Sequence, residues 1–317
     1  MIKRNKYKFH FLSIDKSGIK KKTISSTDIS TGYIDYEITI EDFIKSIITC
    51  GMPMYYLTPA ITRSRLNEIN YKMYALFTLI EFDSKSKYIK LRKEIKYLDA
   101  SEKATLSYYL GMVMTRYISY KEYGQDYLVH LNIMEKYNTV KFKNTNKKLC
   151  PDLIGYSKTN RGFSVFESKG RIRKTTVAIE KALEQVQNIN YIAGSKPLYG
   201  VAQLSYFNNR ELYVVAVDPV DEGEKGVELL ENGLSQYFSL YYKPVIELID
   251  EGNEIISDNE KICSIYRYDK LQFKIEMPIF LYNILKEREI NIELLTKKFD
   301  WVGDGINISI MEGENLR

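Results

Sequence analysis

The stretch CPDLIGYSKTNRGFSVFESKGR, Cys150–Arg171, decides how this chain is read. Pro151-Asp152 opens a short apolar run, Asn160-Arg161-Gly162 has turn composition, and a second apolar run, FSVFESK, ends in Glu167-Ser168-Lys169. Two acids and a lysine are costly on an apolar hairpin, and local folding gives no reason for them. Strand side chains alternate, so Glu167 and Lys169 share a face while Phe166 and Ser168 point the other way. If the two runs pair, Asp152 lies beside Glu167. Two close carboxylates repel, so such a pair needs a cation or a raised pKa. Few oxygen ligands suit Mg²⁺, which keeps waters in its other positions. A metal there lowers the pKa of a bound water and neutralises charge on a phosphoryl oxygen. Lys169, on the same face, orients the water or stabilises developing negative charge. That chemistry fits phosphodiester hydrolysis and suits glycoside hydrolysis poorly, because the lysine keeps both carboxylates ionised. The competing reading, an edge Glu–Lys ion pair, accounts for any single E-x-K but not for the whole composite.

Working outward, Ser101 is expected to cap a helix, with Glu102 just inside it, running to about Gly124. YLVHLNI is expected to be a strand. After the hairpin, TTVAIEKALEQVQNINYIAG has helical spacing, with Ala178, Ile179, Ala182, Leu183, Val186, Ile189 and Ala193 within an arc of ~140°. LYGVAQLSYF and ELYVVAVDP follow as strands joined by a turn at Asn208-Asn209. Toward the N-terminus, KYKFHFLSID and GYIDYEITI read as strands and EDFIKSIIT as a short helix. Pro53 and Pro59 bracket a loop before a helical stretch in SRLNEINYKMYALFTLIEF. Residues 221–317 mix helix and strand, ending in the turn and strand of WVGDGINISI. The order of elements predicts an α/β protein with a central mixed β-sheet flanked by helices.

This pattern resembles the PD-(D/E)XK nuclease superfamily, with its restriction-endonuclease-like fold. The resemblance covers roughly residues 101–220 and rests on Pro151-Asp152, fourteen intervening residues, and Glu167-Ser168-Lys169. It implies Asp152 and Glu167 as metal ligands, the backbone carbonyl of Ser168 as a further ligand, and Lys169 as the catalytic lysine. The implied cofactor is Mg²⁺, with Mn²⁺ as a substitute. Gln187-Asn188-Ile189-Asn190-Tyr191 matches the Q-x-x-x-Y signature that RecB-like members carry on the following helix. It assigns Gln187 a catalytic role and Tyr191 a nucleic-acid contact, with Gln185 as the competing glutamine. Members also draw an acid from the preceding helix, for which Glu102 and Glu122 are the candidates.

The charge distribution supports a polyanionic partner. Residues 141–176 carry ten Lys/Arg against Asp152 and Glu167, and residues 1–22 carry eight against Asp15. Residues 218–260 carry twelve acids against Lys225 and Lys243. Arg171, Arg173 and Lys174 directly follow the catalytic strand and are expected to contact nucleic-acid phosphates.

Composition bounds the rest. No run of 18 apolar residues marks a membrane span, and the basic N-terminus lacks a signal-peptide apolar stretch. Three scattered cysteines, Cys50, Cys150 and Cys263, form no disulfide framework, so a cytoplasmic location is expected. Two histidines, His10 and His130, argue against clustered His/Cys zinc sites; a Cys150–His130 thiol pair has no local support. The VGDG loop near residue 302 lacks a phosphate-binding Gly-Lys-Ser/Thr.

The expected organisation is an α+β region over 1–100, a nuclease core over 101–220, and an acidic α+β region over 221–317 for recognition or interaction. The expected function is a Mg²⁺-dependent deoxyribonuclease, a DNA endonuclease of restriction or anti-phage defence type, acting as a homodimer or with a separate partner subunit. The alternatives are a catalytically silent nucleic-acid-binding module and a partner-binding scaffold on the same fold.

Overall fold

In the computed structural model, the described residues are 5–15, 29, 31–50, 65–218, 225–252, 255–257, 260–268, 271–286 and 303–311. The Pro53–Pro59 loop, part of the basic N-terminal run, Trp301-Val302 and several acids of the 218–260 segment lie outside them.

The alternating run KYKFHFLSID forms β1 (Lys6–Asp15), and β2 (Ile34–Thr39) pairs with it antiparallel. Thr39 caps α1 (Ile40–Thr49) through a capping box with Asp42. Next come α2 (Arg65–Leu79), β3 (Ile80–Phe82), β4 (Ile89–Leu91) and a 3₁₀ turn, Lys93–Tyr97. The long helix α3 (Ala100–Lys121) starts two residues earlier than a Ser101 cap would place it. Asp99 is its N-cap, in a capping box with Glu102, and the Ser101 hydroxyl donates to Asp99 Oδ1 at 2.7 Å. The expected strand YLVHLNI stops short: β5 is Tyr127–His130, and His130 Nδ1 accepts from the Asn132 N–H to start the short helix α4 (Leu131–Lys136).

The hairpin follows β6 (Val140–Lys143) as β7 (Leu153–Ser157) and β8 (Gly162–Gly170), antiparallel, with Leu153 opposite Phe166. From β8 the chain crosses through α5 (Thr176–Val186) and β9 (Tyr191–Ile192) to β10 (Gly200–Asn208), which lies parallel to β8. A parallel return requires such a covering helix. The β10–β11 hairpin turns at Asn209-Arg210, one residue later than expected: both have positive φ, 48° and 69°, and Asn208 pairs with Glu211 of β11 (Glu211–Asp218). The remaining elements are β12 (Gly226–Leu229), α6 (Gly233–Glu251), β13 (Ile255–Ser257), β14 (Lys261–Tyr268), β15 (Leu271–Pro278), α7 (Ile279–Lys286) and β16 (Asn307–Met311).

The protein is α/β, with a large mixed sheet flanked by helices. The principal strand path is β2-β1-β11-β10-β8-β7-β5, with β3 and β4 joined at β11. Because β1 lies parallel to β11, strands from both sides of residue 100 share this sheet. The N-terminal region is therefore built into the same layer as the hairpin. Smaller sheets hold β6-β12-β9 and β13-β14-β15-β16.

Helix α5 buries Ala178, Ile179, Ala182, Leu183 and Val186 on Ala202, Leu204, Val215 and Val217 of one sheet face. Each of the larger side chains is worth about 1.5–3 kcal/mol when fully buried. Helix α3 covers β8 from the other face. Its backbone comes so near that a Cβ on Gly170 would sit 1.6 Å from the Ser107 carbonyl oxygen. The glycine after Glu167-Ser168-Lys169 is thus a requirement of close helix–strand approach.

Candidate active site

Antiparallel register places Asp152, one residue before Leu153, opposite Glu167, one residue after Phe166. The two acids are laced together by backbone donors. The Asp152 N–H donates to Glu167 Oε2 at 2.8 Å, and the Ser168 N–H donates to Asp152 Oδ2 at 3.2 Å. Glu167 is fully buried and Asp152 half-buried. Lys169 projects on the Glu167 face, where its ammonium forms an ion pair with Glu167 Oε1. It also donates to Gln185 Oε1 at 2.7 Å. Gln185 Nε2 in turn donates to the Cys150 carbonyl at 3.0 Å. One glutamine on α5 therefore ties the lysine of β8 to the residue that precedes Pro151-Asp152.

Burial, and secondarily the charge of Asp152, pushes the Glu167 carboxyl up to about 8; Lys169 and the Asp152 N–H oppose this. Asp152 Oδ1 accepts no hydrogen bond among the described residues. The site thus offers two carboxyl groups, one with an uncommitted oxygen, and a closely held ammonium; burial outweighs Lys169 at Glu167, against the expectation that the lysine keeps both acids ionised. Among the described residues, no cluster of three or more His, Cys, Asp or Glu is spaced to hold a metal ion.

The sequence candidates separate into those brought together and those not. Asp152, Glu167, Ser168 and Lys169 are adjacent. Gln187 is not part of this group: α5 ends at Val186 and Gln187 is its C-cap. Tyr191 has left the helix for β9, where its hydroxyl donates to Glu228 Oε1 at 2.8 Å. The Q-x-x-x-Y pair therefore does not share a helix face, and Gln185 is the glutamine at the lysine. Glu102 is occupied in the α3 capping box, and Glu122 is that helix's C-cap, its carboxyl raised by burial.

Arg171, Arg173 and Lys174 line a groove of about 880 Å³ at the C-terminal end of β8. Arg92, Lys93, Lys96, Lys103 and Arg210, which the sequence reading did not single out, line it too. Their signal was weak because they lie far apart in the chain.

The thiol alternative fails on chemistry. Burial pushes Cys150 up to about 11, which keeps it protonated, and burial lowers His130 despite nearby Asp152. All three cysteines are free, and no helix among the described residues is long and apolar enough to cross a membrane.

In comparison with known proteins, no family model matches the chain, and neither a curated protein nor a solved structure does.

Proposed function

We propose that this chain is a metal-dependent nuclease with a restriction-endonuclease-like core, hydrolysing phosphodiester bonds in DNA as an endonuclease of restriction or anti-phage defence type. The observation that carries the reading is the reciprocal backbone lacing of Asp152 and Glu167 with Lys169 beside them. A purely structural ion pair would not need a second, half-buried carboxylate, and that carboxylate helps raise the Glu167 pKa.

A hard divalent cation fits this donor set. All side-chain donors are oxygens, one Asp152 oxygen is uncommitted, and a cation offsets the repulsion that raises Glu167. With only two carboxylates on offer, Mg²⁺, which retains water ligands, suits the site better than a cation needing an all-protein shell. Asp152 and Glu167 would hold it, with the Ser168 carbonyl as a further donor, and it supplies an activated water and charge neutralisation at the phosphoryl group. Glu167 and Gln185 hold the Lys169 ammonium in place, where it stabilises negative charge developing on the phosphate. Arg171, Arg173 and Lys174 place positive charge directly beyond the lysine along the chain.

The test is a cleavage assay with purified protein on single-stranded, double-stranded and modified DNA beside RNA, with Mg²⁺ or with EDTA. Cleavage that requires the metal supports the reading. No cleavage of any substrate in Mg²⁺ or Mn²⁺ returns the chain to a silent binding module.

A further inference from the structure

We infer that the groove beside β8 is a track for the nucleic-acid backbone flanking the cleaved bond, and that residues 92–103 form one wall of it. The inference rests on the nuclease reading for its functional setting and extends it to a surface that Leu91, Arg92, Lys93, Ile95 and Lys96, outside the 101–220 core, help to build. The groove is lined by Arg92, Lys93, Lys96, Lys103, Arg171, Arg173, Lys174 and Arg210. No acidic residue lines it, although Asp and Glu together nearly match Lys and Arg in the whole chain, 41 against 46. None of the described residues of the acidic 218–260 segment lines it either.

These cations are brought together by the fold. Arg92 is fixed by donating to the Phe77 and Ile80 carbonyls at 2.7 and 3.0 Å, which sets the start of the 3₁₀ turn carrying Lys93 and Lys96. Lys103 lies in the first turns of α3, whose Ser107 presses on Gly170 of β8. Arg210 sits at the β10–β11 turn in a left-handed conformation, donating to the Leu91 carbonyl at 2.9 Å. Lys93, Lys96, Arg171 and Arg173 are exposed.

Position links the groove to the acid pair. Arg171 is two residues beyond Lys169, and Phe207, in the groove wall, is three beyond Leu204, the β10 partner of Lys169. At ~3.3 Å per strand residue, the groove begins about 7–10 Å from the lysine. That distance suits phosphates adjacent to a scissile one, at ~3.4 Å of duplex axis per strand phosphate. The chemistry favours an extended polyanion over the alternatives. Arg210 is paired with Glu81, yet the other cations distributed along the concave groove still exceed what one mononucleotide can neutralise, and a flat membrane surface does not enter a concavity.

The experiment measures fluorescence anisotropy of labelled duplex DNA, single-stranded DNA and RNA in EDTA, across a salt series, with Mg²⁺-dependent cleavage scored in parallel. The groove variant Lys93→Ala/Lys96→Ala/Arg173→Ala removes three exposed cations. The control Lys243→Ala/Lys261→Ala/Lys286→Ala removes the same charge from the C-terminal half. The groove variant is expected to bind at least tenfold more weakly and to lose about 2–3 from the slope of log K against log salt, at about 0.9 per duplex phosphate contact. The control is expected to keep the wild-type slope. Equal slopes for wild type and groove variant overturn the track, even if the protein cleaves. Equal slope losses in groove and control variants also overturn it, by showing bulk charge only. Groove-dependent binding without any cleavage sustains the track and removes the nuclease reading instead.

Discussion

Asp152 and Glu167 hold each other in register: the N–H of Asp152 bonds the Glu167 carboxylate at 2.8 Å, while the carboxylate of Asp152 bonds the next N–H along Glu167's strand at 3.2 Å. The pairing fixes two acids side by side at one end of a hairpin. It also keeps one of them, Glu167, out of water and against another negative charge.

That arrangement has a measurable stability consequence. The folded Glu167 pKa, about 8, lies above its ordinary value of 4.5, so the folded state binds the proton more tightly. Stability linked to this group is fully present below pH 4.5 and is lost as pH rises through about 8. Glu167→Gln, which cannot ionise, should therefore match the wild type in acid and exceed it by about 1–2 kcal/mol at and above pH 8 in EDTA. Urea unfolding across pH checks this. A variant less stable than wild type at every pH would show that the carboxylate is a structural ion-pair partner.

Divalent cation should act on the same group. Mg²⁺ that binds only the folded state raises the thermal midpoint in a concentration-dependent way. Asp152→Asn and Glu167→Gln should each abolish that rise while leaving a cooperative transition. A midpoint shift that persists in both variants would place the cation elsewhere.

The lysine's second partner supplies a sharper comparison. Gln185→Ala should lower turnover by about 10–100-fold, the range typical for residues that orient a site group. Gln187→Ala, at the helix C-cap, should change it little. The reverse ranking in single-turnover assays would restore the Gln187 assignment.

These two glutamines show what the sequence made legible and what it hid. The hairpin could be read because a turn between two apolar runs fixes local pairing, and register then follows from counting residues. Periodicity predicts a longer helix α5, because the apolar spacing continues through Ile189, which is buried. The chain nevertheless leaves the helix, for non-local reasons. Asn188 donates its side chain to the Asn146 carbonyl at 2.9 Å, and the Asn190 N–H donates to the Lys225 carbonyl at 2.7 Å. Periodicity along one segment carries no information about such partners. Similarly, Asp99 displaces Ser101 as the α3 cap because Asp99 and Glu102 form a reciprocal box, a D-x-x-E spacing that was present in the sequence. The groove's wall from residues 92–103 and 210 could not be read at all, since only the folded sheet joins those segments.

Asp304 is another residue whose role depends on the fold. It is buried, accepts from Lys45 at 2.6 Å and Arg116 at 3.2 Å, and also accepts from the Tyr241 hydroxyl. Burial raises its carboxyl, but Lys45 and Arg116 outweigh this, and its pKa is lowered overall. Asp304→Ala should cost about 3–5 kcal/mol, because Arg116 is left buried without its carboxylate. The stability it contributes is present above its unfolded pKa and is lost as pH falls through the lowered folded value. Denaturant midpoints for wild type and Asp304→Ala should converge in strong acid; a constant gap down to low pH would assign the loss to packing.

The most direct test of the central claim is Mg²⁺-dependent cleavage of DNA by the wild type beside Asp152→Ala, Glu167→Ala and Lys169→Ala, with the thermal transition of each recorded. The nuclease account predicts cleavage by the wild type that EDTA stops, and its loss in all three variants while each still unfolds cooperatively. Cleavage that survives in the variants, or a wild type inert with Mg²⁺ and Mn²⁺ on every DNA and RNA substrate, would contradict it.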